Sequence, residues 1–392
     1  MIKPSFFCVV FLLCFAVFAK GEIFLQVPQH NAVNAAQVFV LDEIYKNNVG
    51  AFFKEAKAKG VDTVFFRVFH NSGDRAHFGI SPQCKSGVYF KTDALCTVND
   101  ILAPVAKAAH LHGIKIYAWM ATRSLTELKS SDNLSLAFSA DGNVVSGYGA
   151  NIFKQDVRSK LITLFKDLAS YDIDGILFQD DFIIKYTEGA DDEAKSLFLA
   201  DTGLVAAPET FFKGTKEYNG KKVFSGFKDE FYIWANWKAR HMSNLFRELK
   251  VAAKSVNPSL SFAANIYYET PLYPEQGLAW YSQKIPYLLD AGADYLAVMG
   301  YHEQIGKELN RNLPDSAAFV GNIASYGAKA VDGNSARVIM KLQTSSFFKS
   351  GEPVSLKDFN AVCDAVRKTK GISVAVVPVF TSKNIYESCF IK

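Results

Sequence analysis

The stretch Asp174-Gly175-Ile176-Leu177-Phe178-Gln179-Asp180-Asp181 decides how this chain is read. A short apolar run bounded by polar residues reads as a strand buried on both faces, and a helical pattern, Val157 to Leu168, precedes it. The run ends in two adjacent carboxylates. Polar groups at the carboxyl end of such a strand point to chemistry in a barrel, whereas a turn or helix cap needs only one acid.

Seven further runs have the same character: Gln37 to Leu41, Val61 to Phe69, Ile114 to Met120, Leu260 to Ile266, Asp294 to Met299, Arg337 to Gln343 and Ile372 to Phe380. Ile173 to Gln179 completes eight. Helical stretches lie between them at Ala51 to Lys59, Val98 to His112, Val157 to Leu168, Asp229 to Val256, Trp280 to Ala291 and Ser355 to Thr369. Gly60, Gly113, Gly292 and Gly371 precede strands, where a helix end accepts positive φ. Alternation of this kind forces a parallel sheet, and eight repeats predict an α/β protein of the (β/α)8 barrel type. A doubly wound open sheet would show the same alternation, but no Gly-rich phosphate loop supports it. The long connections, His70 to Thr97, Ala121 to Gln155 and Asp180 to Lys228, all follow strands, the side on which barrel sites are built.

With 392 residues and 49% hydrophobic content the chain builds a large core. Met1 to Ala19 combines Lys3, an apolar run from Phe6 to Phe18 and small residues, the pattern of a secretory signal peptide. That run is shorter than the roughly 20 residues a bilayer span requires. Residues 20–392 then read as one domain, expected in the periplasm or secreted, with no membrane span in the mature chain. Its four cysteines, in an oxidising compartment, are expected to pair as Cys84 with Cys96 and Cys363 with Cys389; four free thiols are the alternative. No Cys/His cluster suggests a metal, and no cofactor is expected. The net charge falls from +4 to +3 without Lys3, too weak to argue for nucleic acid, and the basic residues read as scattered. A monomer is expected.

Polar residues at the expected strand ends supply the candidates: Asp42, Arg67, His70, Tyr117, Trp119, Asp180, Asp181, Asn265, Tyr267, Glu269, Tyr301 and Glu303. Carboxylates, amides and aromatics together suit glycoside hydrolysis, which needs an acid for the leaving oxygen, a base or nucleophile opposite, and platforms under the sugars. Strand alternation puts Gln179 and Asp181 on one side and Phe178 and Asp180 on the other, which favours Asp181 as the acid. A bend at the strand end would reverse that, so Asp180 stands nearly level with it. Glu303 is the candidate second carboxylate, with Glu269 behind it. Arg67 reads as a balance to a buried carboxylate such as Asp42 or as a substrate ligand, His70 as a solvated loop residue or an acid, and Trp119 as core or platform. Glu269, beside Pro271 and Pro274, reads as loop support or as an acid.

The segments Ile116-Tyr117-Ala118-Trp119-Met120, Asp174 to Asp181, Asn265-Ile266 and Tyr301 to Glu303 resemble the C-terminal hydrolase domain of the bacterial poly-β-1,6-N-acetylglucosamine deacetylases, a barrel of the glycoside hydrolase family 153 kind. The likeness runs with gaps from about Gln37 to Phe380. It implies endo-acting cleavage of a partially deacetylated β-1,6-linked N-acetylglucosamine exopolysaccharide. The catalytic acid would lie among Asp180 and Asp181, with Tyr117, Trp119 and Tyr301 along the sugar groove. Two departures stand out: a deacetylase domain is not read ahead of the hydrolase pattern, and Gln179 occupies the position before the paired acids where the family carries His. A noncatalytic polysaccharide-binding barrel and a hydrolase of another glycan are the competing expectations.

Overall fold

Runs rich in Val, Ile, Phe and Ala form the strands of a closed barrel. The computed structural model describes residues 30–41, 45, 48–74, 77–78, 84–348 and 351–391. Its barrel strands are β1 (Asn34–Val38), β2 (Thr63–Arg67), β3 (Lys115–Met120), β4 (Gly175–Phe178), β5 (Ser261–Ile266), β6 (Tyr295–Gly300), β7 (Val338–Gln343) and β8 (Ser373–Val379). All are parallel and pair in sequence order, with β1 closing on β8. The fold is therefore the expected (β/α)8 TIM barrel. The expected signal segment, Met1–Ala19, and Asp42 lie outside the described residues.

The barrel bases share a hydrogen-bonding device. Asp62, Asp174 and Asp294, each just ahead of an even-numbered strand, accept the backbone N–H of Asn34, Ile116 and Phe262 at 3.0, 2.8 and 2.7 Å. Each carboxylate so satisfies a donor at the start of the neighbouring strand. Inside, Tyr117 fills the space above Gly175, where an added Cβ would lie 2.4 Å from the tyrosine ring. A glycine after Asp174 is thus a packing requirement.

The principal outer helices are α1 (Val49–Ala58), α2 (Leu102–Leu111), α3 (Gln155–Ala169), α4 (Asp229–Lys254), α5 (Ile285–Asp290), α6 (Leu313–Ala330) and α7 (Leu356–Arg367). Three departures from the sequence reading have physical causes. β1 starts earlier than expected, because Ala35 and Ala36 pack as small residues that carry no strand signal. The helix expected over Trp280 to Ala291 is two, Pro274–Tyr281 and α5, broken at Ser282, whose φ of 54° is left-handed. α6 was not read from the sequence, since Gly321 and Gly327 weaken the pattern; Gly321 lets α6 approach α7, where a Cβ would meet the Ala365 carbonyl at 3.0 Å.

The long connections after β3 and β4 carry two hairpins, Leu134–Phe138 with Val144–Ala150 and Thr215–Tyr218 with Lys221–Phe224. They build a second, smaller core around Phe138, Phe198, Phe211 and Trp234. Disulfides join Cys84 to Cys96 and Cys363 to Cys389, the second tying α7 to the chain end. Among the described residues no helix is long and apolar enough to cross a membrane.

Candidate active site

Strict alternation would send Asp181 into the barrel and Asp180 outward, and the chain does not obey it. A turn begins at Gln179, closed by Phe182 N–H donating to the Gln179 carbonyl at 3.1 Å. Asp181 consequently points back at the loop after β3. It is fully buried and accepts from Thr122 N and Ser124 N at 2.7 Å each and from Thr122 Oγ1 at 3.0 Å. Asp180 keeps partial exposure. The preference for Asp181 drawn from alternation thus fails on geometry: Asp181 is committed to backbone donors, and Asp180 is the accessible acid.

Burial raises Asp180 to about 6; the charge of Lys341 opposes the rise and that of Asp181 adds to it. Lys341, inward-facing on β7 and 2% exposed, donates to Asn265 Oδ1 at 2.9 Å. Desolvation lowers its ammonium to about 8, with Asp180 holding it up. Asn265 in turn donates to the Phe178 carbonyl at 2.9 Å, so β4, β5 and β7 are tied together directly beneath Asp180. Tyr267, Tyr301 and Tyr148 feel the charge of Asp180, and burial pushes all three phenols upward, so they stay neutral O–H donors. Tyr267 stacks on Tyr281 with ring centroids 3.9 Å apart, and Tyr301 meets Phe347 edge-on at 5.0 Å. The mouth therefore offers a protonatable carboxyl, an ammonium and aromatic walls.

A buried ion pair sets the loops around this mouth. Arg123 and Glu188, each 1% exposed, meet at 2.8 Å, and Glu188 also accepts from the backbone N–H of Tyr148 at 2.9 Å and of Lys185 at 2.7 Å. Arg123 holds the Glu188 carboxyl down at about 2. Gly147 leaves room for this, since a Cβ there would lie 2.8 Å from Glu188 Oε1. The fully buried Lys238 donates to the Lys185, Tyr186 and Glu188 carbonyls and sits 3.6 Å over the Trp234 ring. The hairpin after β3 and the loop after β4 are thereby locked to each other, and Tyr148 is carried to the site.

The remaining candidates divide. Glu303 opens the helix after β6 and accepts from Gln343 Nε2 at 2.9 Å. Glu269 accepts from Tyr281 O–H at 3.2 Å while its Oε2 has no partner, and burial raises its carboxyl. Tyr117 departs from its expected place in the groove: it sits in the barrel interior against Gly175 and Phe65, with Asp174, Asp294 and Tyr295 near it, toward the closed base. Trp119 is 3% exposed, packs on Phe39 at 4.7 Å and bonds Gln179, so it is core rather than platform. Arg67 is balanced by Asp74 at 3.7 Å. His70 is buried rather than solvated, bonded to Tyr89 O–H at 2.6 Å and stacked with His77.

Lys341, Tyr148, Gln343 and the Arg123–Glu188 pair were not anticipated. Only Lys341 left a signal, a cation inside the apolar run Val338 to Leu342. Among the described residues no group of three or more His, Cys, Asp or Glu side chains could hold a metal.

The family described as hypothetical glycosyl hydrolase family 13 matches residues 40–374. Two curated proteins, each a poly-beta-1,6-N-acetyl-D-glucosamine N-deacetylase, from Escherichia coli K12 and Escherichia coli O157:H7, are 25% identical over 318 residues, 78% of this chain. The matched part is 42% of their length, so this chain corresponds to under half of those relatives. The solved PgaB (BpsB) glycoside hydrolase domain from Bordetella bronchiseptica superposes with a TM-score of 0.70 at 20% identity, covering 88% of this chain and 94% of that one. The catalytic domain of a beta-amylase from Paenibacillus polymyxa follows at 0.55 and 14%, covering 92% and 95%. An eight-stranded barrel with an accessible acid among aromatics at its mouth and a family match across most of its length place this chain in hypothetical glycosyl hydrolase family 13, as a glycoside hydrolase.

Proposed function

We propose that this protein is an exported, endo-acting hydrolase of a β-linked amino-sugar exopolysaccharide, namely partially deacetylated poly-β-1,6-N-acetylglucosamine. The observation that carries the reading is Asp180, a partly exposed carboxyl that holds its proton up to about pH 6. That is the state a general acid needs to protonate a glycosidic oxygen. Tyr267 on Tyr281, together with Tyr301, forms the walls on which sugar faces stack, while Asn265 and Lys341 hold the floor. Glu303, fixed by Gln343, is the second carboxylate. The names of the curated relatives support the substrate class, and the two disulfides with the apolar run Phe6 to Phe18 support export to the periplasm or beyond.

A noncatalytic reading draws on one observation: among the described residues, the carboxylate whose charge acts on Asp180 is Asp181, which is committed to the loop after β3. Digestion of defined β-1,6 polymers, with products mapped by mass, decides between them. Hydrolysis that disappears in Asp180→Asn while polymer binding persists is the expected result. An unmutated protein that binds the polymer and releases no oligosaccharide would make it a binding module.

A further inference from the structure

The hairpin Thr215–Tyr218 with Lys221–Phe224 has no packing role beyond its base. Ten consecutive residues, 213–222, are exposed, so it projects as an arm. An isolated two-stranded hairpin is marginal in water, and this one is fixed at its root. Phe224 stacks on Phe212 at 3.8 Å, Phe227 on Phe231 at 3.9 Å, and Lys228 Nζ donates to the Glu209 carbonyl at 2.6 Å. The tip turns through Asn219 and Gly220, both at positive φ, which gives the tight connection such hairpins use. The arm is built to stay extended.

Its charge is mostly basic. Lys213, Lys216, Lys221 and Lys222 are exposed and form no ion pair with the described residues; Glu217 is the one acid among them. Cross-strand register puts Tyr218 opposite Lys221 and Lys216 opposite Val223, so Lys216, Tyr218 and Lys221 share a face. Thr215, Glu217, Lys222 and Phe224 share the other, with Lys222 opposite Glu217, and Phe224 turns that face to the body. Tyr218, 61% exposed, stands near the tip. The hairpin brings Lys216 and Lys221, five residues apart in the sequence, together on one face with an aromatic end.

We infer that this arm docks the enzyme on an anionic phospholipid surface through Lys216, Lys221 and Tyr218. A convex projection suits a plane better than a single polymer strand, which needs a groove. Its cations between Lys213 and Lys228 are all lysines, point charges fitted to a diffuse negative field, with no arginine to make directional bidentate contacts. Tyrosine beside them matches the level where headgroups meet acyl chains. A polymer bearing free amines is repelled by the same charges, so the arm is not a substrate subsite. It belongs to the connection after β4, so docking sets the barrel mouth toward the surface.

The test is sedimentation of the full chain with vesicles of phosphatidylcholine alone or mixed with phosphatidylglycerol, with duplex DNA and heparin as soluble polyanions. Binding to the anionic vesicles only, weakened by salt and reduced roughly tenfold or more in the K216Q/K221Q variant, is expected. The variant should keep the melting temperature and the turnover of soluble substrate, so docking is read apart from hydrolysis. Equal binding to neutral vesicles, no vesicle binding, unchanged binding in the variant, or capture of a soluble polyanion without vesicles would each overturn the inference.

Discussion

Lys341 on β7 and Asp180 at the end of β4 oppose each other's burial: desolvation drives the carboxyl up to about 6 and the ammonium down to about 8, and each charge is what restrains the other. Lys341 is held in place by Asn265 at 2.9 Å. The proton affinity that burial gives the candidate acid is thus restrained from three strands away around the barrel.

Hydrolysis that needs protonated Asp180 should decline as pH rises through about 6. Replacing Lys341 by Met removes the charge that lowers the Asp180 value, so the basic limb of kcat/KM should move to higher pH by about one unit. The pH profile of Lys341→Met against the parent measures this. An unmoved limb would separate Lys341 from the acid's titration.

The two aspartates should behave oppositely in stability. Asp180 is raised on folding, so its contribution is full below 3.8 and lost as pH rises through about 6. Asp180→Asn should therefore raise thermal stability at neutral pH, by up to about 3 kcal/mol, with little gain in acid. Its turnover should fall roughly 10²–10⁴-fold. Asp181→Ala strands the donors of Thr122 and Ser124 and should cost about 2–4 kcal/mol. Thermal melts at two pH values, beside turnover, separate the roles.

Glu188 is held at about 2 by Arg123, against an ordinary 4.5. Its stabilisation is present above 4.5 and drains away as pH falls toward about 2. Glu188→Gln should lose about 3–5 kcal/mol at neutral pH and flatten the acid limb of the stability curve. Urea unfolding as a function of pH reads both effects.

Cys363–Cys389 spans 26 residues and Cys84–Cys96 spans 12. Each removal should cost about 2–4 kcal/mol, with the longer loop costing ~0.7 kcal/mol more on chain entropy alone. Paired Cys→Ser variants, compared by melting temperature, test the order.

The barrel was legible because its signals are local. Ile173 to Gln179 announces a buried strand from its own residues, and Gly60, Gly113 and Gly292 mark helix ends by their own tolerance of positive φ. The repeated aspartates before the even strands, Asp62, Asp174 and Asp294, are equally local and were passed over, since an acid ahead of a strand carries no meaning until the neighbouring N–H is known.

The site was less legible. Tyr117 and Trp119 alternate correctly, but nothing local says that Tyr117 occupies the space above Gly175 or that Gln179 takes the Trp119 indole. Choosing between Asp180 and Asp181 required the turn that begins at Gln179, which rotates the pair out of strand phase.

By itself the sequence determined eight strands, their order and the side that carries the long loops, because hydrophobic period and helix-ending glycines act over a few residues. Only closure of the barrel decided which carboxyl is reachable and what faces it. Lys341 and Asn265 are 76 residues apart in the chain, and they meet beneath Asp180 only because parallel pairing around the ring turns their strands inward at one height.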